Sequence, residues 1–109
     1  MIFAGLDIGS VSSETVIINK NKKILSYEIV RTGSNSKKAA EKSMQAALNK
    51  VNISFNDITN LIATGYGRKI VPFKSEEISE ISCHAKGAHF LFPNTKTVID
   101  IGGQDSKAI

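Results

Sequence analysis

The chain has 109 residues, of which 41% are hydrophobic and 22% charged, and its formal net charge is +4 at pH 7. These values are typical of a single soluble globular domain and exclude a disordered tail, a collagen-like repeat and a two-domain protein. No apolar run approaches the roughly 20 residues of a membrane helix, and the single cysteine, Cys83, excludes an intrachain disulfide. We therefore expect a cytoplasmic protein without a membrane partner.

Three strands are predicted in the N-terminal third of the chain. Residues 2–6 form an apolar run that ends at Asp7, residues 14–18 are rich in β-branched side chains, and residues 24–30 alternate imperfectly. The connections between these segments are too short for a parallel crossover, so the three strands are expected to pair as antiparallel neighbours.

Helices and strands are predicted to alternate in the remainder of the chain. Polar residues at 33–36 offer N-caps, and apolar residues at helical spacing over 40–51 predict an amphipathic helix. A strand at 61–64, a second helix from near 75 to 93 and a last strand at 97–101 follow. The order β-β-β-α-β-α-β predicts an α/β fold with a mixed sheet and helices packed on it, the layout of a ribonuclease-H-like domain.

Two similar turns follow apolar strands near the two ends of the chain: Asp-Ile-Gly-Ser at 7–10 and Asp-Ile-Gly-Gly at 100–103. A glycine without Cβ lets backbone N–H groups approach a phosphate oxygen, and a carboxylate at a strand end can hold Mg²⁺. Either turn alone is also an ordinary Asp-x-Gly turn. Together, facing each other, they would bind a polyphosphate from two sides.

Four stretches, at 5–10, 63–68, 80–88 and 97–107, occur in an order that closely resembles one protein family. They resemble the N-terminal part of the 2-hydroxyacyl-CoA dehydratase activators, the BadF/BadG/BcrA/BcrD-type ATPases. These belong to the superfamily of sugar kinases, actin and the seventy-kilodalton chaperones. The stretches Ala-Thr-Gly-Tyr-Gly-Arg and Ile-Asp-Ile-Gly-Gly-Gln-Asp are specific to the family, whereas Asp-Ile-Gly-Ser is shared across the superfamily.

The resemblance implies a function. Family members are homodimers with a four-iron, four-sulfur cluster at the subunit interface, and they couple ATP hydrolysis to delivery of a low-potential electron to a dehydratase or benzoyl-CoA reductase-type partner. It implies catalytic, Mg²⁺-binding roles for Asp7 and Asp100. The residues implied in phosphate binding are Gly9, Ser10, Gly102, Gly103 and Gln104. The family's cluster cysteines lie in sequence that this chain lacks, so no cluster is expected here.

The same resemblance divides the chain. Residues 1–97 are expected to form the first ATPase lobe, and residues 98–109 to begin a second lobe that is absent, so the isolated chain is predicted to be inactive. Lys107 would start a strand with no sheet to join. Because an unpaired strand edge is a template for another chain, the segment after Gly103 is predicted to fray or to pair with a second copy in a weak homodimer.

Glu14 departs from the family pattern, which usually places a lysine at this position. A carboxylate repels phosphate where an ammonium would attract it. Val11 also replaces a hydroxyl residue common in the first turn. Weak or absent binding of ATP and Mg²⁺ is therefore predicted for this chain.

Two other functions remain open. A Mg²⁺-dependent nuclease of the ribonuclease-H-like fold also uses an Asp-x-Gly turn, but it needs an acid at the end of the fourth strand, where this chain has Ala-Thr-Gly-Tyr at 63–66. A non-enzymatic docking module is the third class. Cys83 and His84 point about 100° apart on a helix and are not expected to chelate one ion. The lysines lack the interleaved aromatic residues of single-strand binders, so no nucleic-acid partner is expected.

Overall fold

The computed structural model describes residues 1–101 and 106–108. That part of the chain contains two α-helices, α1 (Ser36–Lys50) and α2 (Glu80–Leu91). The strands are β1 (Ile2–Ile8), β2 (Ser12–Asn19), β3 (Ile24–Arg31), β4 (Ile58–Thr64), β5 (Glu76–Glu77), β6 (Ile99–Ile101) and β7 (Ser106–Ala108). Short 3₁₀ helices lie at Phe55–Asp57 and Arg68–Ile70. None of the helices in the described residues is long and apolar enough to cross a membrane.

The first five strands form one mixed sheet in the order β3-β2-β1-β4-β5. The pairs β1–β2 and β2–β3 are antiparallel, whereas β1–β4 and β4–β5 are parallel. The predicted α/β class, the mixed sheet and the antiparallel N-terminal strands are therefore confirmed. The prediction lacked β5, because two residues are too few to show a readable hydrophobic period.

The second helix begins later than the sequence suggested. It was expected to begin near Ser75 but begins at Glu80, with Ser79 as its N-cap. The residues before it pair with β4 instead. The N–H of Ser75 donates to the carbonyl of Leu61 at 2.8 Å, and the N–H of Ile78 donates to the carbonyl of Ala63 at 3.0 Å. Pairing with β4 thus takes precedence over the helical spacing.

The predicted strand at 97–101 is present as β6, but it lies outside the five-stranded sheet. It pairs with β7 in a separate antiparallel pair in which Ile99 lies opposite Ala108 and Asp100 opposite Lys107. The expectation that Lys107 has no sheet to join was wrong, and with it the premise of the predicted homodimer. Of the second turn, Gly102, Gly103 and Gln104 lie outside the described residues.

One face of the sheet packs against α1 and forms the core. The buried apolar residues of this core are Ala4, Leu6, Ile8, Ile17, Ala40, Met44, Ala47, Leu48, Leu61, Ala63 and Val71. Two buried hydrogen bonds join the same layers: one between the hydroxyl groups of Thr15 and Ser43 (2.7 Å), and one that the Ser26 hydroxyl donates to the carbonyl of Ala47 (2.8 Å). Because strand side chains alternate between faces, the neighbours of Leu6 and Ile8 project away from α1. Asp7 is one of them.

Candidate functional site

Asp7 lies near the carboxyl end of β1, beside the parallel strand β4. In open α/β sheets ligands bind outside the carboxyl ends of parallel strands, so the fold places Asp7 at the edge expected for a site. Its side chain is 37% exposed on the face away from α1. Asp100, its predicted counterpart, lies in β6, and the structure describes only its backbone.

The turn from β1 to β2 is closed by its own backbone. The N–H of Gly9 donates to the carbonyl of Ser12 at 2.9 Å, and a Cβ on Gly9 would lie 2.9 Å from that oxygen. Thr32 stabilises the turn with two hydrogen bonds: its hydroxyl donates to the carbonyl of Gly9, and its N–H donates to the carbonyl of Val11. The Gly9 N–H is thus used inside the turn. Ser10, a predicted phosphate-binding residue, lies at the exposed tip of the turn.

The segment 65–67, which follows β4, packs against the end of β1. Gly65 has a φ of +88°, and a Cβ on it would lie 2.5 Å from both Oδ1 of Asp7 and the carbonyl oxygen of Ile8. The N–H of Gly67 donates to the same carbonyl at 2.9 Å. The structure shows that the lack of a side chain at Gly65 lets the Asp7 carboxylate and the end of β1 pack directly against this turn.

Arg68 interacts with other groups of this chain. Its Nη1 donates to the carbonyl of Gly65 at 3.0 Å, and its guanidinium lies 3.8 Å from carboxylate oxygens of both Glu77 and Glu80. The guanidinium therefore joins the Gly65 turn to β5 and the start of α2. It positions the segment beside Asp7.

His84 was missed as a site residue, because sequence reasoning considered it only as a metal ligand together with Cys83. The structure places its Nε2 3.6 Å from Oδ2 of Asp7, an ion pair whenever the imidazole is protonated. The sequence indicated His84 only through its position in the stretch 80–88, one of the four stretches that carry the family resemblance. Its contact with β1 cannot be predicted from the local sequence. Among the described residues, no group of three or more His, Cys, Asp or Glu could hold a metal ion.

Glu14 faces Asp7 across the β1–β2 pair. Burial raises the pKa of Glu14, the Asp7 carboxylate raises it further, and a hydrogen bond from Ser12 opposes both effects. In the described part of the chain, two buried side-chain oxygens have no hydrogen-bond partner: Oε2 of Glu14 and Oγ1 of Thr64. Both residues are register partners of Asp7.

These residues fit a hydrated magnesium ion. Mg²⁺ prefers carboxylate and other oxygen ligands and keeps several of its own waters, so it needs few protein groups. The Asp7 carboxylate and the two unpartnered oxygens of its register partners supply such an environment. The neutral Thr64 occupies the strand end at which a nuclease of this fold would need a carboxylate.

The mixed sheet, with Asp7 and a glycine turn at the end of its first strand, has the architecture of the first lobe of the actin-like fold. The model of the BadF/BadG/BcrA/BcrD ATPase family matches residues 4–109, and the chain belongs to this family. It is 44% identical over 109 residues to the activator of lactoyl-CoA dehydratase from Anaerotignum propionicum, covering 42% of that protein. It is 40% identical over 106 residues to the (R)-2-hydroxyglutaryl-CoA dehydratase activating ATPase of Acidaminococcus fermentans, covering 96% of this chain and 40% of that protein.

Two solved structures share the fold over nearly the whole chain. One is component A of the A. fermentans (R)-2-hydroxyglutaryl-CoA dehydratase, with a TM-score of 0.93 and 37% identity over 100% of this chain and 42% of that one. The other is the activator of the 2-hydroxyisocaproyl-CoA dehydratase from Clostridium difficile with bound ADPNP, with a TM-score of 0.93 and 38% identity over 99% and 40% of the two chains. The chain thus spans about two fifths of the length of these relatives and is homologous to their N-terminal part.

Proposed function

We propose that this chain is the first lobe of an ATP-dependent activator that drives low-potential electron transfer to a 2-hydroxyacyl-CoA dehydratase or a benzoyl-CoA reductase-type partner. The observation that carries the proposal is the place of Asp7 beside a glycine turn, in a fold shared with an activator solved with bound ADPNP. An ATP site of this kind binds the nucleotide between two lobes.

In this proposal the first turn provides half of the ATP site. Asp7 would hold Mg²⁺ and orient the attacking water, and Ser10 would contact a phosphate from the tip of the turn. Phosphoryl transfer is promoted mainly by positioning and by charge stabilisation, and bound Mg²⁺ would neutralise charge that develops on the phosphates. His84, 3.6 Å from Oδ2, holds the Asp7 carboxylate in place.

The second half of the site is assigned to the second turn. Asp100 is proposed to complete the Mg²⁺ environment, and Gly102, Gly103 and Gln104 to contact phosphates. Residues 1–97 then form lobe I, and residues 98–109 begin lobe II. Because half of the positioning groups belong to lobe II, the isolated chain should not turn over ATP. With one cysteine, it also lacks the thiolates for an iron–sulfur cluster, which lobe II would supply.

A lobe exchange tests this proposal. The matching part of component A from A. fermentans, 42% of that chain, is replaced by residues 1–109, and ATP-dependent activation of the (R)-2-hydroxyglutaryl-CoA dehydratase is measured. We expect the exchanged protein to activate the dehydratase. Asp7→Asn should reduce this activation by about a hundredfold or more, because it removes a charge that acts on the phosphoryl group.

Glu41→Gln is the matched control, since Glu41 is an exposed acid on α1 far from the turn in sequence and on the opposite face of the sheet. It should activate like the unsubstituted exchanged protein. A folded exchanged protein that fails to activate, or one in which Asp7→Asn has no more effect than Glu41→Gln, would contradict the proposal.

A further inference from the structure

Three oxygen-bearing side chains form one row across adjacent strands at the end of the sheet. Asp7 of β1 is the register partner of Glu14 on the antiparallel side and of Thr64 on the parallel side. Register partners project from the same face of a sheet, and neighbouring strands lie about 4.8 Å apart. Two carboxylates and a hydroxyl therefore share one face within a span of about 10 Å.

The two outer residues of this row, Glu14 and Thr64, each have a buried side-chain oxygen without a hydrogen-bond partner in the described part of the chain. Thr64 is 7% exposed and its Oγ1 has no hydrogen-bond partner; Oε2 of Glu14 is likewise buried without one. Buried polar atoms nearly always have a hydrogen-bond partner in folded proteins, because an atom without one loses its hydrogen bonds to water and gains none within the protein. Two such atoms flanking one carboxylate indicate a ligand that the row accommodates.

The charges of the row indicate which kind of ligand. The Asp7 and Glu14 carboxylates repel each other across the β1–β2 pair. His84 lies next to Asp7, but no ion pair in the described residues involves Glu14. Arg68, a cation of the same region, is held by Gly65, Glu77 and Glu80. A cation between the two carboxylates would relieve their repulsion and satisfy the unpartnered oxygens.

We propose that Glu14, Asp7 and Thr64 bind a divalent cation, Mg²⁺ or Mn²⁺, in the absence of nucleotide. Hard oxygen ligands select these ions over zinc, and an ion that retains most of its water needs no more than two carboxylates and a hydroxyl. The site shares Asp7 with the proposed ATP site, but it requires neither nucleotide nor a second lobe. Glu14 and Thr64 thereby become ligands that the ATPase assignment does not include, and Glu14 would favour the cation rather than weaken its binding as the sequence suggested.

The test is a titration of the nucleotide-free chain with Mn²⁺, followed by the loss of the free-ion signal in electron paramagnetic resonance. We expect saturable binding that Mg²⁺ reverses. Glu14→Gln and Thr64→Val should each weaken the affinity by about tenfold or more. Glu41→Gln and Thr59→Val, which change exposed residues on α1 and on β4, should leave it unchanged.

Circular dichroism establishes that each variant is folded before it is titrated. If Glu14→Gln does not fold, Thr64→Val compared with Thr64→Ser decides the question, because only the serine keeps a hydroxyl and should restore binding. Absence of saturable Mn²⁺ binding, or equal affinity in site and control variants, would overturn the proposal. Neither result bears on the ATP site, which the lobe exchange tests separately.

Discussion

Gly65→Ala is expected to destabilise the fold strongly, because the turn after β4 has no space for a methyl group. The added Cβ would lie 2.5 Å from Oδ1 of Asp7, 2.5 Å from the carbonyl oxygen of Ile8 and 2.8 Å from its carbonyl carbon. Two of these atoms belong to the backbone of β1. Rotation of a flexible side chain therefore cannot relieve the overlap.

The expected loss of stability has two sources. Holding alanine at a φ of +88° costs about 1–2 kcal/mol, and overpacking against the β1 backbone adds about 1–3 kcal/mol. The smaller conformational freedom of alanine in the unfolded chain returns about 0.4–1 kcal/mol. We therefore expect the free energy of unfolding to fall by about 1–5 kcal/mol, against the 5–15 kcal/mol typical of a domain.

Urea unfolding followed by circular dichroism measures this loss against two other glycine-to-alanine changes. Gly33 has a φ of +63° and open space around it, so Gly33→Ala should cost only about 1 kcal/mol. Gly87 lies inside α2 with open space, so Gly87→Ala should stabilise by about 0.5–1 kcal/mol. A Gly65→Ala variant no less stable than Gly33→Ala would refute the packing of this turn against Asp7.

Three further predictions concern the core, the carboxyl pair and the rival function. Ser43→Ala leaves the buried Thr15 hydroxyl without the partner that lies 2.7 Å away, so it should lower the free energy of unfolding, measured in urea, by about 1–3 kcal/mol. Gln45→Ala breaks only an exposed hydrogen bond and should lower it by less than about 0.5 kcal/mol. Because folding raises the pKa of Glu14 above its ordinary 4.5, the stability from its protonated form is present below that pH and lost as the pH rises through the folded pKa. Glu14→Gln in chelator-treated buffer should therefore be more stable than the unsubstituted chain at neutral pH, an advantage that disappears on acidification below 4.5; a pH-independent difference would contradict this. Incubation with Mg²⁺ or Mn²⁺ and a branched or hybrid duplex should give no cleavage, since Thr64 lies at the strand end that needs an acid; metal-dependent cutting abolished by Asp7→Asn would favour the nuclease.

The elements that sequence reasoning predicted well are those determined by local pattern. The strands β1 to β3 follow from β-branched runs joined by short polar turns, and α1 from a regular apolar stripe capped by Asn35. In contrast, β5 consists of two glutamates, Glu76 and Glu77, that are extended because they pair with β4. Their conformation depends on a partner strand that is distant in sequence, and no local period reports it.

The candidate site shows the same division. Asp7 was predictable from its place between an apolar strand and a glycine turn. The contact of His84 with Asp7 and the packing of Gly65 against the end of β1 join segments far apart in sequence, so only the folded sheet brings them together. Glu14 was identified as a departure from the family pattern. That it faces Asp7 required the register of the β1–β2 pair.

Phosphate release from ATP, measured on the chain alone and on the lobe-exchanged protein, tests most directly whether this chain provides half of an ATP site. We predict no turnover above background by the chain alone and Mg²⁺-dependent turnover by the exchanged protein that Asp7→Ala abolishes. Turnover by the chain alone that Asp7→Ala abolishes would show that one lobe suffices. A folded exchanged protein that releases no phosphate would contradict the assignment of Asp7 to the ATP site.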